Sequence, residues 1–294
     1  MSESALSDVR ALDTPVDDVA SFHRARASLT VRTELRRQFS LRRTRLALGL
    51  VVVLPVLLVA AFEFGGDEAG DLWSLAALAT FSAANFTVFT LGASAGFLLM
   101  VIVALVCGDA VAGDASNGSL RYLLTLPVSR GRLLGVKLLA SLATSAVALV
   151  ALTVTALGVG VAAFGRGPLR TPRGDALALA EAAARIGGMV VYVAVTLLVV
   201  AALAFWLSTT TDAPLAAVGG AVLVVIVSTI LDQVSALGAV RTMLPTHYAD
   251  SWRGLFDDPM QLEAMARGSL ATVIYAGFFL ACAWWTFLRK DVLS

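Results

Sequence analysis

Charge is scarce in this chain, and its absence is the most informative feature of the sequence. Only 15% of the 294 residues are Asp, Glu, Lys or Arg, while 58% are hydrophobic. A soluble domain is about a quarter charged and about half apolar. One water-soluble core of this size cannot hide that excess. Histidine and cysteine are as rare, at two each. His23 and His247 are too few and too far apart for a His-Glu-x-x-His metal site, and no cysteine cluster exists. Cys107 and Cys282 both fall in apolar runs, which argues against a disulfide framework. Lysine occurs only at Lys137 and Lys290. Neither follows the glycine pattern of a nucleotide-binding loop, so this chain is not expected to hydrolyse ATP or to be an enzyme. The formal net charge of +1 suggests no nucleic-acid partner. No signal peptide is read at the start, where a long polar arm precedes the first apolar run.

Six stretches carry no charged residue at all: 46–62, 84–107, 138–164, 188–208, 213–231 and 270–288. Each is long enough, or nearly so, to cross about 30 Å of hydrocarbon. A single mid-helix charge costs about 2.5–3.5 kcal/mol on insertion scales, so six clean windows are a strong signal. The fold expected is an all-α integral membrane protein with six transmembrane helices. Basic residues set its orientation. With the N-terminus inside, fifteen Lys and Arg fall on the cytoplasmic side and seven outside, placing both termini in the cytoplasm. Trp206, Trp284 and Trp285 then sit at inner interfaces.

Three segments do not span. Residues 1–26 are acidic and poor in large apolar residues, and read as a disordered cytoplasmic arm. Residues 27–44 place Val31, Leu35 and Phe39 on one helical stripe among arginines, the pattern of an interfacial helix in the headgroup plane. Between spans two and three, Leu120, Leu123 and Leu124 share one helix face, Asp114 stands near its start, and Pro127 halts it. This predicts a short cytoplasmic amphipathic helix over about 114–127 whose leucines need a partner. The external segment 233–268 contains Pro245, His247, Trp252, Phe256 and Pro259 and is too long for a simple turn.

Gly92-Ala-Ser94-Ala-Gly96 matches a serine-hydrolase pattern, but it lies in an apolar helical run. Gly92 and Gly96 are expected instead to form a Gly-x-x-x-Gly packing surface. His247 reads as a loop hydrogen-bonder, and Asp232 and Asp212 as solvated span-end residues. Asn85, Thr87, Thr153, Thr155 and Thr196 are mild polar features of the kind helix packing explains.

The loop between spans two and three resembles that of permease subunits of ABC-2-type exporters. The residues that carry the resemblance are Asp114, Gly118-Ser119-Leu120, Leu123-Leu124 and Pro127-Val128-Ser129-Arg130, followed by Arg132 and Lys137. Asp114 stands where Glu is usual and Ser119 where Thr is usual. Glu34-Leu35-Arg36-Arg37 is similar to that family's elbow helix, and Phe287-Leu288-Arg289-Lys290-Asp291-Val292 to its C-terminal signature. The resemblance implies that residues 27–294 form one ABC-2-type domain in the plasma membrane. It implies a second permease copy or homologue as dimer partner, and separate ATPase subunits that bind ATP and Mg. The loop would act as a coupling helix in an ATPase cleft, with Asp109, Asp114, Arg121 and Arg130 as the polar rim. An assembly or maturation factor of the same fold, serving a periplasmic enzyme without bulk export, is the alternative.

Overall fold

The computed structural model describes residues 30–64, 75–118, 129–172, 174–257 and 259–289. Helices dominate them. In chain order they are α1 (Val31–Ser40), α2 (Arg42–Phe64), α3 (Leu75–Ala79), α4 (Ala83–Gly108), α5 (Ala112–Ser116), α6 (Arg130–Phe164), α7 (Leu179–Thr210), α8 (Pro214–Asp232) and α9 (Glu263–Arg289). Six of these, α2, α4, α6, α7, α8 and α9, are long and apolar enough to cross a membrane. The chain is an all-α, multi-pass membrane protein. The small exception is an antiparallel ribbon between α6 and α7, pairing β1 (Leu169–Arg170) with β2 (Ala176–Leu177). The arm over 1–26 and most of the 114–127 segment lie outside the described residues.

Several helices overrun the uncharged windows of the sequence. At 35 residues α6 is about 52 Å long, roughly 20 Å more than the hydrocarbon. A helix satisfies its own backbone in lipid or in water, so nothing stops it at the interface. Its charged first turns therefore project beyond the apolar layer. Pro55 sits inside α2, where its missing N–H is tolerated in a spanning helix.

The spans are not equivalent. About half of the apolar window is buried inside the chain in α4 and α7, at 50% and 56%, against 11% in α2. The bundle is thus built around α4 and α7. The outer faces of the other spans present apolar side chains such as Leu57, Val154, Leu223 and Phe278 to lipid. Lipid tails are as apolar as leucine, so close packing holds the centre together. At Gly160 of α6, an added Cβ would lie 3.0 Å from the Ala83 Cα and 3.1 Å from the Phe86 ring. At Gly108 of α4 it would lie 2.9 Å from Val218 of α8. These glycines let backbones approach where a side chain would separate them. Stacking of Trp206 on Phe279, with centroids 5.7 Å apart, joins α7 to α9.

Residues 233–257 and 259–262 form a cap over one end of the bundle, with two 3₁₀ turns at Ser235–Met243 and Ser251–Phe256. Trp252 is 1% exposed and inserts between spans to reach Gly92, nine residues into α4. That is about 14 Å along the helix axis. Arg185 donates to the Leu255 carbonyl at 2.8 Å, and the Tyr192 hydroxyl donates to the Tyr248 carbonyl at 2.7 Å.

Within this chain Gly92 and Gly96 do not share a packing partner. Gly92 lies on the α-helical stretch before a π-turn over Ala95–Leu99, and Gly96 lies within that turn, which breaks the four-residue register of α4. Gly92 accommodates the indole of Trp252, while a Cβ on Gly96 would meet nothing within 4 Å. Gly160→Val should lower the thermal midpoint of the detergent-solubilised chain through about 1–3 kcal/mol of overpacking. Gly96→Ala, measured in the same melt, should leave it nearly unchanged.

Candidate functional site: a polar knot at the α1 end

At the end opposite the cap, α1, the turn after α4, α5 and the foot of α6 converge on a cluster of six charged side chains. Three acids, Glu34, Asp109 and Asp114, meet three bases, Arg37, Arg43 and Lys137. Lys137 stands in the second turn of α6 and is 2% exposed. A buried ammonium carries a desolvation cost of several kcal/mol unless its donors are matched. Here its Nζ pairs with Asp114, donates to the Ala110 carbonyl at 2.9 Å, and lies 3.4 Å from Glu34.

Asp114 is 1% exposed and receives both Lys137 and Arg37. Arg37 also holds Glu34 at 2.6 Å, one turn back on α1. Burial alone would lower the Arg37 pKa, but Glu34 and Asp114 outweigh it and the pKa is raised. Arg43, at the start of α2, pairs with Asp109. Burial pushes the Asp109 carboxyl up from 3.8 to about 6, against the pull of Arg43 and Arg37. Its Oδ1 has no hydrogen-bond partner among the described residues.

Neutral groups extend the knot. Gln38 of α1 is buried, donates to Ser141 at 3.0 Å and accepts from Thr144 at 2.6 Å. Lys137, Ser141 and Thr144 are spaced by four and three residues, so they form one polar stripe down α6. Ser208, near the end of α7, accepts from the amides of Val111 and Ala112 at 3.0 and 2.9 Å. The turn carrying Asp109 and Asp114 is therefore tied to α1, α2, α6 and α7 at once.

The geometry differs from the sequence expectation in two respects. Asp109 and Asp114 do not form an open rim; both carboxylates turn inward onto this chain's own cations, because the alternative is an unpaired buried lysine. The interfacial helix docks through Glu34 and Gln38, while Val31, Leu35 and Phe39 are only half-buried and Arg36 is exposed. Gln38, Ser141, Thr144 and Ser208 were missed. The signal available was the stripe of Lys137, Ser141 and Thr144 at helical spacing. Gly118 ends the described part of the loop in a left-handed turn, with φ 69°. Ser119, Leu120, Arg121, Leu123, Leu124 and Pro127 lie outside the described residues. Arg130, at the first turn of α6, reaches the Leu288 carbonyl of α9 at 3.4 Å.

At the cap end, Asp232 is not the solvated residue the sequence suggested. It lies 2.6 Å from His247 Nδ1 and 3.6 Å from Arg241. His247 is a loop hydrogen-bonder as expected, and its partner is the end of α8. Asn85 is a clamp, exchanging hydrogen bonds of 2.8 and 2.9 Å with the Arg170 backbone.

A bundle of six spans with an internally paired polar foot defines a multi-pass membrane protein. Residues 48–293 match the family described as "Protein of unknown function (DUF2705)", and the chain belongs to that family. A second similarity links it to a transporter component. Over 92 residues it is 34% identical to the "Probable ABC transporter permease protein NosY" of Pseudomonas aeruginosa. The match covers 31% of this chain and 31% of that relative.

Two outcomes follow from the knot. Lys137→Met strands Asp114 with one fewer cation and should cost about 3–5 kcal/mol, whereas Lys137→Met with Asp114→Leu should recover much of that loss in a double-mutant thermal cycle. For Asp109, the folded state holds a proton more tightly than the unfolded chain between pH 4 and about 6. Its contribution to stability therefore falls as pH rises through that window. The melting-temperature difference between Asp109→Asn and wild type should climb in favour of the mutant from pH 4 to pH 6 and then level; a flat difference contradicts the assignment.

Proposed function

We propose that this chain is the membrane subunit of an ATP-driven exporter of the ABC-2 type, working with separate ATPase subunits that bind ATP and Mg. The observation that carries the reading is the similarity to a permease over 92 residues. The loop residues Gly118-Ser119-Leu120 and Pro127-Val128-Ser129-Arg130 support it, as does a set of spans with charge-free centres. A carrier coupled to protons or ions would be expected to bury ionisable groups at mid-membrane.

In this reading both termini are cytoplasmic, the membrane is the plasma membrane, and two permease chains pair around the pathway. The segment 114–127 is the coupling helix, with Leu120, Leu123 and Leu124 seated in an ATPase cleft. Asp114 at its start is bonded to Lys137 and Arg37. A push on the segment would therefore reach α6 and α1 together, and α7 through Ser208. The knot makes the loop a lever fixed to the spans.

Purification of the tagged chain in mild detergent should bring down an ATP-hydrolysing subunit. Leu124→Asp should reduce its recovery about tenfold, the effect of roughly 1.4 kcal/mol at the interface, with membrane insertion unchanged. Recovery of no ATPase by the wild-type chain sinks the exporter reading, and full recovery by the mutant removes the loop from the coupling.

A further inference from the structure

A second feature of the molecule plays no part in the knot. Beneath the cap, a cavity of about 220 Å³ runs between α4, α7, α8 and α9. Its walls are aliphatic, including Met100, Leu203 and Val225, with the Phe279 ring on one side. Its inner end lies at the π-turn of α4, where Gly96 opens onto it. A π-turn inserts an extra residue into a helix and is frequent at functional sites.

The polar residues of the cavity gather at the cap end. The ionisable side chains on its wall are Asp232, Asp250 and His247. Arg241 and Arg253 face these two aspartates, at 3.6 and 3.1 Å, but neither lines the cavity. A solute inside therefore meets Asp232, whose carboxylate is only 16% exposed and so acts through a low-dielectric surround, while Asp250 is 68% exposed to solvent. The absence of Lys or Arg from the wall disfavours an anion. An aromatic ring beside the path adds favourable contact for a desolvated cation.

We infer that this cavity is a binding site for a small amphiphilic cation. The apolar body sits against α4 at the π-turn, and the positive end faces Asp232. The volume lies below the about 300–1,000 Å³ typical of ligand pockets, which favours a compact aryl- or alkylammonium over a lipid. The site lies wholly within this chain and does not rest on the exporter reading. It can be tested without any ATPase.

The probe is radiolabelled benzyltrimethylammonium, with the full chain in phosphatidylcholine nanodiscs and empty nanodiscs as background. The expected result is saturable binding, displaced by the unlabelled cation and not by benzenesulfonate. Gly96→Leu fills the cavity from a position where an added Cβ meets nothing. It should weaken binding at least about tenfold with the thermal midpoint preserved. Asp232→Asn should weaken the cation to a similar degree. If Asp232→Asn fails to fold, Gly96→Leu and the anion competition decide alone. No saturable binding at millimolar probe, equal displacement by benzenesulfonate, or unchanged affinity in Gly96→Leu would each overturn the assignment.

Discussion

Everything at the α1 end depends on the pairing of Lys137 with Asp114. Neither side chain reaches water, and either alone would carry a desolvation penalty that a marginally stable protein cannot sustain. The pair exists because the neighbours close the account of donors and acceptors: Glu34, the Ala110 carbonyl and Arg37. Once Asp114 is held, α5 is held, and the loop enters the next segment from a fixed point. Once Arg37 and Gln38 are held, α1 is fixed against α6, and it lies across the foot of the bundle by polar docking more than by its apolar stripe.

The two ends of the molecule use opposite chemistry. At the α1 end, a buried Lys137–Asp114 pair is ringed by partly exposed charges, matched in number and bonded across several helices. At the cap end, a tryptophan is the anchor, and the charged groups surround an open cavity. Trp252 enters the space that Gly92 leaves free and holds the cap to α4 and α7. Beyond it the π-turn opens the wall at Gly96. Between the ends, α4 and α7 form the packed centre. One end is thus closed by paired charges and the other leaves space, within a single bundle.

The number of membrane helices and their all-helical character were readable from the chain. Each charge-free window excludes water-exposed structure, and lipid permits a single spanning helix no other hydrogen-bonding solution. Helix limits were less readable, because α6 and α7 continue past the apolar layer without penalty. The polar knot was half readable. Asp114, Glu34 and Arg37 were singled out, but as surface groups, since one-dimensional patterning says which residues are polar and not what they face. Lys137 was counted among the loop cations for the same reason.

What the sequence determined by itself was the solvent: a chain with six uncharged windows must place them in lipid, whatever their order in space. Tertiary structure alone decided which polar residues face one another. It turned Asp114 inward onto Lys137 of α6, and it placed Gly96, but not Gly92, in a π-turn that no residue pattern specifies. Insertion is set by the local cost of each segment, which composition records. Pairing is set by distances between segments far apart in the chain, such as the 23 residues separating Asp114 from Lys137 and the 103 separating Gln38 from Ser141, and only the packed bundle fixes those.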